Sequence, residues 1–423
     1  MATDDQILEA YGSSKGKIET APKVKIADSK DLALHYTPGV ATVSRAIMAD
    51  KSKVFDYTGR SNNIAIISDG SRILGLGNIG PEAGLPVMEA KALLFKKYGG
   101  VDAIPLCIGT QEEEEIVRFV KNIAPSFGAF NIEDIESPKC FRIVERLSKD
   151  LDLPVLHDDQ HGTAMVTIAA LINAMKLSGK DITKCKIVIN GAGAAGIGIS
   201  RLLAYMKIKN VYVVDKSGLL YEGRETNMNE FKADIAARTN PEKMNGTLKD
   251  AVEKADVLIG VSTAGVFTKD MISRMNEKPI VFALANPVPE ISYDDAKAAG
   301  AFIVATGRSD YPNQVNNILS FPNIMRGLLD SGAKGVDYDM LYEAAKALAK
   351  TVGKDLRVDH ILPTPYSPKD MIKVLSGVAT AVAASAVKSG NSKFSNVDIT
   401  AIASKAARII RRNIRIEKVT TKL

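Results

Sequence analysis

Residues 153–164, LPVLHDDQHGTA, end an apolar run on two adjacent carboxylates, Asp158 and Asp159, bracketed by His157 and His161. The chain of 423 residues has four histidines, and two of them flank this acidic pair. Residues of these types can hold a metal, trade a proton or cap a helix. A second acidic pair, Glu133 and Asp134, ends the apolar run FGAFNIED in the same manner. If both runs are parallel strands, their C-terminal ends share one sheet edge and the carboxylates converge. Such a cluster repels itself unless a cation sits in it, and its oxygen donors select Mg2+ or Mn2+. The rival reading is a zinc pair of His157 and His161 at i, i+4; that spacing needs helix throughout, whereas His157 ends an apparent strand. The plain alternative is that Asp159 caps a helix starting near Gly162 and that Glu133 and Asp134 are solvated loop acids.

A basic candidate stands in GLPVMEAKALLFKKYGG. At helical spacing Lys91 shares an apolar stripe with Val87, Leu94, Phe95 and Tyr98, while Lys96 and Lys97 fall elsewhere. Two readings follow: a snorkelling lysine with its ammonium in water, or a desolvated amine of depressed pKa that can act as a base.

The elements that must position these groups read as α/β. Strand candidates NNIAIISDG, DAIPLCIG, FGAFNIED and LPVLHDD alternate with amphipathic segments, and KIVINGAG, NVYVVD, DVLIGVS, PIVFALANP and AFIVATG follow from residue 186. QHGTAMVTIAALINAMKLSG reads as a long apolar helix joining two sheets. The expected architecture is an N-terminal α/β domain over residues 1–160 carrying substrate and metal sites, then a Rossmann-type doubly wound parallel sheet over 161–423 with C-terminal helices. GAGAAG follows the strand KIVIN and opens a helix, so Gly191, Gly193 and Gly196 fit GxGxxG. The backbone of Ala194 and Ala195 then begins the helix that faces a pyrophosphate. The next strand ends in Asp215, placed for an adenosine ribose. Asp215 favours NAD, but Lys216 and Arg224 stand close enough in sequence to offset its repulsion of a 2′-phosphate, which leaves NAD or NADP open.

Composition bounds the rest. Three widely spaced cysteines make neither a disulfide framework nor a metal knuckle and suit a reducing, cytoplasmic setting. A net charge of +6 spread along the chain implies no nucleic-acid partner. Arg408, Arg411, Arg412 and Arg415 read as a solvated or interface face. The opening MATDDQILEA is polar, and GVATAVAASAV is too short to span a bilayer, so no export or membrane partner is expected.

LHYTPGVA, SDGSRILGLGNIG, PVMEAKALLFKKYGG, NIEDIESP, HDDQHGTA, GAGAAG, ALANPVPE and YPNQVNNILSFP, in this order, resemble the malic enzymes, and more narrowly their compact prokaryotic type. The resemblance runs from about residue 20 to residue 380. It implies oxidative decarboxylation of (S)-malate to pyruvate and CO2 with reduction of NAD or NADP, dependent on Mg2+ or Mn2+, in a homodimer. It further implies Glu133, Asp134 and Asp159 as metal ligands, Asp158 in the acid/base network, Lys91 and Tyr36 as catalytic groups, Arg72 on a substrate carboxylate, and Asn286 and Asn317 near substrate and nicotinamide. Two other classes fit part of the pattern: a sister enzyme that decarboxylates oxaloacetate or turns malate directly into lactate, and a catalytically silent nucleotide-binding module.

Overall fold

The computed structural model describes residues 3–420. β1 (Asn63–Ser68), β2 (Asp102–Cys107), β3 (Ala129–Ile132) and β4 (Val155–His157) form a parallel sheet in the order β2-β1-β3-β4. β5 (Ile187–Asn190), β6 (Val211–Asp215), β7 (Gly218–Leu219), β8 (Val257–Gly260), β9 (Ile280–Ala283) and β10 (Ile303–Thr306) form the second sheet, ordered β10-β9-β8-β5-β6-β7. Helices cover both faces of these sheets, which is why every residue of β3, β5, β8, β9 and β10 is buried and all are apolar or glycine except Asn131, Asn190 and Thr306. Only β7 runs antiparallel, paired with the end of β6; it has two residues and no apolar run of its own to announce it.

Register places the chemistry. Ile132 of β3 pairs with His157 of β4, so Glu133–Asp134 and Asp158–Asp159 leave the sheet side by side. In the second sheet the chain order reverses between β5 and β8, and the glycine loop leaves β5 at that switch point.

The helix Thr163–Ser178 connects the two halves. It is apolar nearly all round, as a helix buried on every side must be, and it ends at Gly179, whose left-handed φ of 73° lets its N–H close on Met175. It is preceded by a π-helical turn, Asp158–Gly162, which carries both aspartates. Gly198 lets the next helix, Ala194–Tyr205, lie against that turn: a Cβ there would stand 2.4 Å from the carbonyl oxygen of Gln160.

The N-terminal helices Asp4–Ser14, Ser29–His35 and Gly39–Ala49 bury none of their residues. Leu8, Leu34 and Met48 are 66% to 79% exposed. Among the described residues this arm finds no core to join. At the other end, the expectation drawn from GVATAVAASAV needs correction. That stretch belongs to a helix of 21 residues, Pro368–Lys388, long and apolar enough to cross a bilayer by length and composition. It packs against the helices Phe321–Ser331, Tyr338–Thr351 and Ile399–Thr420 and buries Met371, Val374, Leu375, Val378 and Val382, the packing of a core helix. On Ile399–Thr420, Ile402, Ala406 and Ile410 face inward while Arg408, Arg411 and Arg412 are exposed; the side chain of Arg415 lies outside the described residues.

Replacing Gly198 by alanine should press the helix Ala194–Tyr205 off the Asp158–Gly162 turn and cost about 1–3 kcal/mol of stability, read as a lowered denaturation midpoint. An unchanged midpoint would show that the contact at Gln160 yields freely.

Candidate active site

Lys91 lies on the helix Gly80–Leu94, which points it across the ends of β3 and β4. Its Nζ is 2.6 Å from Glu133 Oε1 and 2.6 Å from Asp158 Oδ2, with the Lys91 side chain 13% exposed and Asp158 fully buried. The face of Phe321 covers the ammonium at 4.4 Å. The snorkelling reading therefore fails, and so does the depressed amine. Burial works to lower the pKa of Lys91, but the charges of Asp158, Glu133 and Asp159 outweigh it and hold the amine well above its ordinary value, protonated.

Each carboxylate has its own support. Glu133 Oε2 accepts a hydrogen bond from Asn131 at 2.7 Å, and Asp158 Oδ2 accepts one from Asn317 at 3.1 Å. Asn317 also donates to Thr163 Oγ1 at 3.0 Å, which ties the loop after β10 to the first residue of the connecting helix. Asp158 Oδ1 has no partner and lies over Gly162, where a Cβ would come within 1.8 Å of it. Asp159 Oδ2 accepts the Asp134 N–H at 3.1 Å and stands 3.4 Å from His157 Nε2. It caps no helix, since neither the π turn nor the helix Thr163–Ser178 has a side-chain cap. The zinc pair is not formed either: His161 Nδ1 is spent on the His157 backbone N–H at 3.1 Å, and burial pushes its pKa down to about 3.

Oxygen atoms of Glu133, Asp134 and Asp159 lie within 4.8 Å of one another, the one such group of potential ligands among the described residues. Four buried or half-buried carboxylates share the single ammonium of Lys91. Burial lifts Glu133 far above the usual carboxylate range and Asp134 to about 8, the neighbouring Asp159 adding to the latter. Asp159 alone is held low: burial opposes its ionisation, but the His157 hydrogen bond and the charges around it prevail. A hard divalent cation fits this all-oxygen, excess-negative donor set.

Around the cluster, Arg72 donates its backbone N–H to the Asp134 carbonyl at 3.0 Å and leaves its exposed guanidinium for a ligand. Asn286 stands exposed after β9, beside Gly307. The loop beneath it is fixed by Glu290, whose carboxylate accepts the Ser262 N–H at 2.9 Å and the Ala285 N–H at 3.0 Å. Tyr36 is not joined to this network: it follows the helix Ser29–His35, is 64% exposed and has no hydrogen bond to a site residue among the described residues.

At the glycine loop, Gly191 has φ 125° and a Cβ there would meet the Val261 carbonyl at 2.6 Å, while one on Gly196 would meet the Gly191 carbonyl at 1.7 Å. Gly193 faces open space at the start of the helix Ala194–Tyr205, where unpaired N–H groups of the first turn, Ala194 and Ala195 included, await an anion. A dinucleotide fits this cradle. Asp215 Oδ1 accepts the Ser217 N–H at 2.9 Å, and Oδ2 accepts from Arg224 at 2.6 Å, Lys232 at 2.8 Å and Asn227 at 3.0 Å. Burial opposes its charge, yet Arg224 and Lys232 hold the carboxyl below its ordinary range. Lys216, the other cation noted in the sequence, is exposed.

Sequence reasoning passed over Asn131, Thr163, Phe321, Lys232 and Glu290. Asn131 had a signal, since it lies two residues before Glu133 on the same strand face. The others act through neighbours distant in the chain.

Comparison with known proteins agrees with this geometry. The profile described as "Malic enzyme, N-terminal domain" matches residues 15–116, and "Malic enzyme, NAD binding domain" matches residues 160–387. A bifunctional malic/malolactic enzyme of Bacillus subtilis is 47% identical over 410 residues, covering 97% of this chain and 99% of its own length. An NAD-dependent malic enzyme of Geobacillus stearothermophilus is 45% identical, with coverage of 91% and 79%. The crystal structure of malic enzyme from Pyrococcus horikoshii superposes with a TM-score of 0.93 at 44% identity over 98% of both chains. That of NAD-dependent malic enzyme from Thermotoga maritima gives 0.85 at 50% identity over 89% and 98%. A cluster of carboxylate oxygens beside a buried lysine, in a chain that also carries a dinucleotide cradle, thus stands in a protein that belongs to the malic enzyme family, NAD(P)-dependent oxidoreductases that decarboxylate malate.

Proposed function

We propose that this chain oxidatively decarboxylates (S)-malate at the Lys91 cluster, with residues 1–160 holding substrate and metal and residues 161–423 holding the nucleotide. The observation that carries this reading is the bridge from Lys91 to Glu133 and Asp158, 2.6 Å to each. When bound, a Mg2+ or Mn2+ ion held by Glu133, Asp134 and Asp159 supplies a Lewis acid at the C2 oxygen of malate, and the nicotinamide supplies the hydride acceptor. Arg72 pairs with a substrate carboxylate. Asn286 and Asn317 line the nicotinamide and substrate sides, Asn317 also fixing Asp158. Lys91 gives up its surplus proton more readily once the pull of the ligand carboxylates is compensated, and its amine then takes the C2 hydroxyl proton, with Asp158 as its hydrogen-bonded partner. After loss of CO2, the Tyr36 hydroxyl returns a proton to C3 of the enol and gives pyruvate. The exposed arm that carries Tyr36, with its unburied Leu8, Leu34 and Met48, supports a homodimer in which the arm lies on the second subunit and Tyr36 completes that subunit's site. The three cysteines, none in a disulfide, suit the cytoplasm we assign to it.

At the ribose, two cations face the one carboxylate of Asp215, which supports acceptance of NADP as well as NAD. The relative from Bacillus subtilis, named for a second, malolactic activity, favours a further test: lactate formed without release of free NAD(P)H would move that chemistry to the front.

Lys91→Ala should lower kcat for malate oxidation by about 10²–10⁴-fold while nucleotide-induced thermal stabilisation persists; near-normal turnover would reject the assignment. Mixing inactive Tyr36→Phe and Lys91→Ala subunits should restore about a quarter of wild-type activity if the site is shared between two subunits, and nothing if it is not. Below about pH 8 the metal-free Asp134 carboxyl keeps its proton, so Mn2+ binding must release it. Affinity measured by calorimetry should therefore rise with pH between about 6 and 8; a flat profile over that range would contradict this. Lys232→Glu should raise KM for NADP at least about tenfold more than KM for NAD, and equal effects would remove Lys232 from cofactor choice.

A further inference from the structure

Away from the catalytic cluster, the end of the helix Tyr338–Thr351, the turn Gly353–Asp355 and the start of the helix Pro368–Lys388 enclose a groove of about 480 Å³. Lys350 and Lys354 line one wall, Lys369 and Lys373 the other, and Asp355 is the one acid between them. Lys369 and Lys373 are one turn apart and share a helix face. Lys373 stands 3.7 Å from Asp370, and Lys350, Lys354 and Lys369 have no ion-pair partner among the described residues. Like charges brought together across a concavity repel, and the N-terminus of a helix of 21 residues adds positive potential. A multivalent anion relieves both. The groove is open to solvent, and its volume of about 480 Å³ is of the size a small molecule fills.

The groove is tied to the catalytic cluster by two buried asparagines. Asn173 lies 14 positions after Asp159, and the helix Thr163–Ser178 carries it about 20 Å away at the helical rise. There its amide donates to the Ala349 carbonyl, next to Lys350, and to the Ile361 carbonyl, both at 2.8 Å. Asn313 holds the same segment from the other side: it donates to the Val358 carbonyl at 2.8 Å and accepts the Ile361 N–H at 2.9 Å. Four residues later the same loop delivers Asn317 to Asp158. The segment 356–361, continuous with the groove's turn, is therefore linked to the helix that starts at the aspartate pair and to the loop that supports Asp158.

We propose that this lysine groove is an effector site for a small polyphosphate or multiply phosphorylated metabolite, distinct from the dinucleotide cradle. The probe is inorganic tripolyphosphate, added to the full chain in excess EDTA so that chelation of a cation does not move the melt, with and without saturating NAD+ or NADP+ to cover the other anion site. Tripolyphosphate should raise Tm by several degrees whether or not nucleotide is present, and the half-saturating concentration should rise at least about tenfold in Lys354→Glu/Lys369→Glu. Lys207→Glu/Lys209→Glu, on an exposed turn elsewhere, should bind as wild type. Hydrogen exchange over residues 356–361 should slow on binding. No rise in Tm, a rise abolished by nucleotide, or one equal in the groove variant would overturn the site; binding with unchanged exchange over 356–361 would overturn its effector role.

Discussion

Four carboxylates around one ammonium, at the ends of two parallel strands, set the terms for the rest of the molecule. Taking such charges out of water is costly, and Lys91 compensates only part of it. The fold therefore surrounds the cluster with donors, Asn131 for Glu133, Asn317 for Asp158 and the Asp134 N–H for Asp159, and sets the His157 ring 3.4 Å from Asp159. It also reserves space, since Asp158 occupies the position that any side chain at residue 162 would need. A cation that binds the folded cluster and not the unfolded chain would turn the repulsion that weakens the metal-free protein into affinity for the ion.

The acidic cluster and the end of β6 solve opposite electrostatic problems. At the cluster, negative charge is concentrated and one cation is left to share. At the end of β6, Asp215 has two cations of its own, Arg224 and Lys232, so little of its negative charge faces outward. The helix Thr163–Ser178 and the loop bearing Asn317 hold these ends together. That connection is why the Asp158–Gly162 turn has a tight contact with the dinucleotide-binding helix, Gln160 against Gly198.

Much of this was legible in the sequence because both sheets are buried on two faces. Nine of the ten strands fall within predominantly apolar runs of the sequence, and acids that end such runs stand out. What escaped has a physical reason in each case. β7 contributes no apolar signal. The π turn looks like a helix start, so Asp159 resembled a cap. Periodicity put Lys91 on a buried stripe but could not say what faced it; the carboxylates that reverse the expected direction of its pKa arrive from 42 and 67 residues downstream. The helix Pro368–Lys388 was underestimated because Lys373, Ser376 and Gly377 interrupt its hydrophobic run without interrupting its backbone. Tyr36 was found by resemblance alone, and a single chain leaves it exposed.

The supporting groups nearest the charges are amides, and the charge balance requires that. Asn131 and Asn317 each present an N–H toward a carboxylate; an aspartate in either place would turn a donor into a fifth negative acceptor in a cluster with one ammonium. A lysine or arginine would donate as well, but would quench the negative charge that a divalent cation needs. The same reasoning extends to Asn173 and Asn313, which cross-link buried backbone segments where a charged side chain would cost more than its hydrogen bonds return. An amide is the side chain that joins buried elements without altering the sum of charges, and at this site an excess of negative charge is what a divalent ion would need.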